Sequence, residues 1–173
     1  MRITGVAVAA ALSFGFTSSA RADDKADIQA LYKKVVAAFK AKDVKAIMAM
    51  GTPDFTMKER GVTMNAKQSE AEIKQEFAMT RTLKKIVMNP DQIEVKGKNA
   101  TVFSSFASEA VILDATGAFG PKGKTHVMAG TGKMREMLVK TSKGWKFKSI
   151  ETLSDNMTID GKPMQMGAPP KKK

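Results

Sequence analysis

The chain has 173 residues, 43% apolar and 27% charged, which is enough for one domain with a real core; 29 basic against 17 acidic residues give a formal net charge of +12. It contains no cysteine, which excludes disulfides, thiol chemistry and a lipidated N-terminal Cys and leaves stability to packing alone. Aromatics are only 6% of residues and sit at core-like spacings, so the basic excess reads as a solvated surface and not as a nucleic-acid interface.

Met1-Arg2, the apolar run Ile3 to Phe16, and Thr17 to Ala22 have the three parts of a secretory signal peptide, with the small residues Ala20 and Ala22 placed for cleavage after Ala22. The expected boundaries are a leader at 1–22, a domain at 23–155 and a largely disordered tail at 156–173. Cleavage leaves 27 basic against 17 acidic residues, a net of +10. A periplasmic or secreted location follows, and the terminal Lys171-Lys172-Lys173 could touch an anionic envelope surface weakly.

Ile28, Leu31, Tyr32, Val35, Val36 and Phe39 form one apolar stripe at helical spacing. Asp43 is placed to cap a second, short helix carrying Ile47 and Met50. Gly51 is read as a left-handed stop, and Pro53-Asp54 ends the helical stretch before Phe55 opens a strand. Arg60-Gly61 separates two extended runs as a hairpin. Ser69 and Glu72 match a capping box, which predicts a helix from there to about Leu83 burying Ile73, Phe77 and Leu83. Extended segments then flank Pro90-Asp91, and a turn follows at Lys96 to Asn99. Ala100 to Leu113 is a long strand with mixed apolar and small polar residues on both faces. Asp114 to Gly123 is a glycine-rich loop. Lys124 to Lys140 is a strand softened by Gly130 and Gly132, and Trp145 opens the last long strand. After Leu153 the signal fades, with at most a short edge strand at Met157 to Ile159.

The helix ending in Ala38-Phe39-Lys40-Ala41-Lys42-Asp43, the short helix after it and Pro53-Asp54-Phe55 together resemble the start of the nuclear transport factor 2-like superfamily. That superfamily includes the SnoaL-like polyketide cyclases and ketosteroid isomerase. Lys143-Gly144-Trp145-Lys146-Phe147 resembles the strand that closes such domains, so the resemblance spans about Asp24 to Leu153. It implies an α+β fold, a cystatin-like cone in which N-terminal helices pack on a strongly curved, mostly antiparallel sheet. It also implies a cone-shaped pocket, lined here by Tyr32, Phe55, Phe77, Phe106, Met128 and Trp145. By likeness to ketosteroid isomerase, Glu59 falls near the catalytic base and Glu136 near the second acid. Val35 stands at the tyrosine position, with Tyr32 one turn earlier on the same face, so the oxyanion hole is expected to be incomplete.

Other chemistry finds less support. The single His126 has no cysteine or carboxylate cluster near it in sequence, and Met164 and Met166 are soft donors without a nearby His, so neither metal nor cofactor is expected. The expectation is therefore an exported, homodimeric domain that binds an apolar small molecule. The alternatives are an association module of the cell envelope and an isomerase- or cyclase-like proton-transfer enzyme.

Overall fold

The computed structural model describes residues 18–164. Two helices, α1 (Ser18–Ala41) and α2 (Val44–Ala49), lead into the hairpin β1 (Gly51–Glu59) and β2 (Val62–Asn65) and the helix α3 (Ala66–Met79). Four long strands follow, β3 (Thr80–Lys96), β4 (Asn99–Leu113), β5 (Thr125–Thr141) and β6 (Gly144–Ile159), and then the two-residue β7 (Lys162–Pro163). The sheet order is β2-β1-β6-β5-β4-β3 with β7 on β6. Only β1 and β6 run parallel. Bulges in β3, against β4, and in β6, against β5, add local twist and bend this α+β sheet into the expected cone around α1.

The apolar stripe of α1 does what its spacing predicts. Ile28, Leu31, Tyr32 and Val35 are buried against Val102, Leu138, Trp145 and Phe147. Tyr32 meets the ring of Phe147 edge-on at 5.6 Å. Asp24 ties the start of the helix to the sheet: its Oδ1 accepts from Trp145 Nε1 at 3.2 Å and pairs with Lys140. Asp43 caps α2 by accepting from the Ala46 N–H at 2.9 Å. Arg60 and Gly61 both have positive φ, as a tight hairpin turn requires.

Four local expectations are corrected. The capping box of α3 is Asn65 with Gln68, because Ser69 faces the interior at 1% exposure and its hydroxyl has no partner among the described residues. The same helix ends at Met79, and the sheet begins at Thr80. Gly51 has no positive φ and opens β1 beside Phe55, while Lys42 takes the left-handed conformation after α1. Ordered structure continues past 155, because Asp160-Gly161 turns β6 back into β7. Residues 1–17 of the expected leader at 1–22, and the tail from residue 165, including Met166 and Lys171 to Lys173, lie outside the described residues.

Candidate functional site

Val102, Ser104, Ala110 and Ile112 of β4 are buried and mark the concave face; Phe106 and Ser108, half-buried like their neighbours, share it by the two-residue pleat. Their partners place Glu136, Met134, Gly132, Gly130, Met128 and His126 of β5 on the same face. Toward its helix-covered end this face carries a buried polar group. Glu136 is fully buried, and Ser104 Oγ donates to its Oε1 at 2.6 Å. Tyr32 comes down from α1, buried to 1% exposure, and its hydroxyl lies beside the carboxyl group. Tyr32 Oη and Glu136 Oε2 meet no partner at full hydrogen-bond geometry among the described residues, although the hydroxyl lies close enough to Glu136 to act on its titration as a hydrogen-bonding neighbour.

Burial pushes the Glu136 carboxyl up to about 7; Ser104 and Tyr32 oppose the rise, and the charge of Asp91 adds to it. Tyr32 is raised as well, first by burial and then by the charge of Glu136. A carboxyl held near neutrality can donate or accept a proton, and beside a phenol it can hydrogen-bond a ligand oxygen in either state.

Farther along the same face the lining becomes apolar and soft. Met88 pairs across strands with Phe106, and Phe106 with Gly132. A Cβ on Gly132 would stand 2.4 Å from both Phe106 Cε1 and the Ser154 carbonyl oxygen; one on Gly130 would stand 2.3 Å from Met157 Sδ. The two glycines are therefore spatial requirements, letting an aromatic ring and a thioether lie flat on the bend of β5. Met128 continues this lining beside Ile159. Methionine surfaces of this kind adapt to apolar ligands of differing shape.

The family model of the SnoaL-like domain matches residues 20–151. The chain belongs to the SnoaL-like domain family. Solved structures agree on the fold. A hexachlorocyclohexane dehydrochlorinase of type 2 superposes with a TM-score of 0.61 at 13% identity, covering 88% of this chain and 97% of its own. A ketosteroid isomerase-like protein from Erwinia carotovora atroseptica gives 0.54 at 18% identity, covering 75% and 95%. A nuclear transport factor 2-like protein from Cytophaga hutchinsonii gives 0.56 at 13% identity, covering 74% and 95%. No curated protein matches the chain in sequence.

Within this SnoaL-like domain the expected site residues separate. Tyr32 and Glu136 come together, so it is Tyr32 and not Val35 that meets the acid. Phe106 and Met128 lie on the same concave face. Phe55 and Trp145 belong to the main core, and Phe77 stacks edge-on against Phe39 at 5.7 Å between α3 and α1. Phe55 and Trp145 share a buried cluster with Tyr32, and Phe77 reaches that cluster through Phe39, while Met128 packs in a second cluster with Ile112 and Ile159. Glu59 stands at the end of β1, 3.2 Å from Arg60 Nη2. It neighbours Glu72 and Glu76 of α3, whose carboxyls are raised, first by loss of hydration and then by repulsion that includes Glu59. Glu76 nevertheless keeps a large exposed surface, so the trio is a solvated acidic flank. None of the groups that perturb Glu136 is Glu59. The reading from sequence missed Ser104, whose place on the inner alternation of β4 is its only signal. It also missed the carboxylate beside His126: Asp160 Oδ2 lies 2.7 Å from Nδ1, across 34 residues of chain.

Proposed function

We propose that this SnoaL-like domain binds an apolar small molecule on the concave face, with one ligand oxygen held between Tyr32 and Glu136. The observation that carries the proposal is the pair of buried polar atoms without partners, Tyr32 Oη and Glu136 Oε2, at the inner end of a Met- and Phe-lined surface. Leaving such atoms unpaired costs about 1–3 kcal/mol each, a cost that a ligand oxygen would remove. Glu136 as an acid near neutrality, with Tyr32 as a second donor, also suits proton transfer to or from a carbonyl compound. That is the activity this site would support if the ligand proves to be a substrate. The leader-like N-terminus supports an exported protein, in keeping with an envelope or extracellular ligand.

A second reading, association through the sheet in a homodimer, draws on the exposed Met137 and Leu153 of β5 and β6. One experiment addresses both. Native mass spectrometry of the protein isolated from its own host compartment should show a stoichiometric apolar adduct that is lost in a Tyr32→Phe, Glu136→Gln double variant. An adduct-free dimer that also fails to take up any apolar compound from a host extract would refute the ligand reading and favour association.

A further inference from the structure

Beside Tyr32 and Glu136 the inner site holds a third polar group. Ser104 is 2% exposed and lies on β4, with Pro90 of β3 and Met134 of β5 as its register partners. Its hydroxyl has one proton to give and acts as a hydrogen-bonding neighbour on both Tyr32 and Glu136. Distance decides between the two: Oγ lies 2.6 Å from Glu136 Oε1, whereas Tyr32 Oη meets no partner at full hydrogen-bond geometry among the described residues. The next residue, Ser105, is turned to the other face by the pleat and donates to Asp91 of β3 at 3.2 Å. Asp91 is the charged group that acts on Glu136, and the register partners of Glu136 on β4 and β6, Val102 and Ile150, are apolar.

The two oxygens of a carboxyl group are equivalent until a neighbour distinguishes them, and here Ser104 does so. With Oε1 accepting from Oγ, a proton on the carboxyl belongs on Oε2; on Oε1 it would leave the Ser104 hydrogen without its acceptor. Oε2 therefore offers one donor when the group is neutral and only acceptor sites when it is ionised. Tyr32 stays a donor in both states, because burial and the charge of Glu136 hold its proton in place.

We infer that Ser104 is the positioning residue of the inner site: by taking Oε1 it assigns Oε2 to the ligand, and so makes the site distinguish a carbonyl oxygen from the hydroxyl of the corresponding alcohol. This role rests on the Tyr32–Glu136 reading and adds to it the hydrogen-bond character of the ligand. Over neutral Glu136 a carbonyl accepts from both Oε2 and Tyr32 Oη and leaves nothing unpaired, whereas an alcohol brings a third proton. Over ionised Glu136 an alcohol donates to Oε2 and accepts from Oη, whereas a carbonyl sets its oxygen against the carboxylate. Each mismatch leaves a buried polar group unpaired, which is what separates ligands of otherwise equal shape. The preference reverses as the pH rises through the titration of Glu136, at about 7.

The test uses 1-indanone and 1-indanol, which share a flat apolar skeleton and do not themselves titrate, with affinities measured by calorimetry from about pH 5 to about pH 9. In the wild-type protein the ratio of indanone to indanol affinity should fall several-fold across this range, with its midpoint at the titration of Glu136. Ser104→Ala removes a donor that favours the ionised carboxyl, so the midpoint should move up by about one pH unit. Ser104→Thr should restore it, and Ser104→Cys, a weak donor of similar size, should fall between. A role in packing alone would weaken both probes alike and leave the midpoint in place. A ratio that stays flat with pH in the wild type, or a midpoint that Ser104→Ala does not move, would overturn the inference and leave the inner site standing. Binding that persists in the Tyr32→Phe, Glu136→Gln double variant, or no binding of either probe, would remove the inner-site reading and the inference with it.

Discussion

Replacing Glu136 by Gln keeps the shape and the acceptor for Ser104 Oγ but removes a titration, so it isolates the free energy of burying this carboxyl. In the folded protein the group is raised from its ordinary value of 4.5 to about 7. Between those values the unfolded chain is ionised while the folded chain still holds its proton. Stability is therefore fully present below pH 4.5, falls as the pH rises toward about 7, and is flat above. At roughly 1.4 kcal/mol per pH unit the loss comes to about 3 kcal/mol, a large share of the 5–15 kcal/mol typical of a domain. The assay is urea unfolding of ligand-free wild type and Glu136→Gln at several pH values from 4.5 to 8. All other groups titrate alike in the two proteins, so the difference between their curves belongs to Glu136. Wild type should lose about 3 kcal/mol relative to the variant across the window. Parallel curves, within about 0.5 kcal/mol, would refute the claim that the carboxyl is held protonated.

Three further outcomes follow from the packing described above. Tyr32→Phe removes a buried hydroxyl without a partner, so unfolding should show stability unchanged within about 1 kcal/mol or slightly increased, while uptake of the apolar ligand falls by about tenfold or more. Gly132→Ala should destabilise by about 1–3 kcal/mol, and a second change, Phe106→Ala, should restore only part of this because the Ser154 carbonyl still obstructs the added methyl. Asn65→Ala should cost about 1 kcal/mol through loss of the cap, whereas Ser69→Ala should cost less; the opposite ranking in thermal melts would return the cap to Ser69.

Much of the fold could be read from the chain because its signals were local. The α1 stripe has a period that only a helix satisfies, and Arg60-Gly61 can adopt the backbone a tight hairpin needs. The α3 cap was misplaced because Asn65–Gln68 and Ser69–Glu72 both fit the same four-residue spacing. The choice between them depends on which residue faces the interior, and the spacing does not carry that information. The end of β6 was lost where a register shift near Ser154 interrupts the alternation, although Asp160-Gly161 is a strong turn signal that could have recovered the hairpin. The site was less legible. Tyr32 and Glu136 lie 104 residues apart, and the curvature of the sheet decides which turn of α1 reaches the acid, so counting from motifs placed Val35 there instead. His126 looked isolated for a similar reason, since its carboxylate arrives from a hairpin that was read as tail.

The tie between Asp24, Lys140 and Trp145 bears on how such a chain is processed. If the proposed leader is cut after Ala22, Asp24 becomes the second residue of the released chain, and the new end is itself the clasp that closes the helix onto β5 and β6. A peptidase that slipped two residues downstream would release a protein of almost identical mass with that clasp missing. Under the proposed export, the accuracy of the cut would then be part of folding.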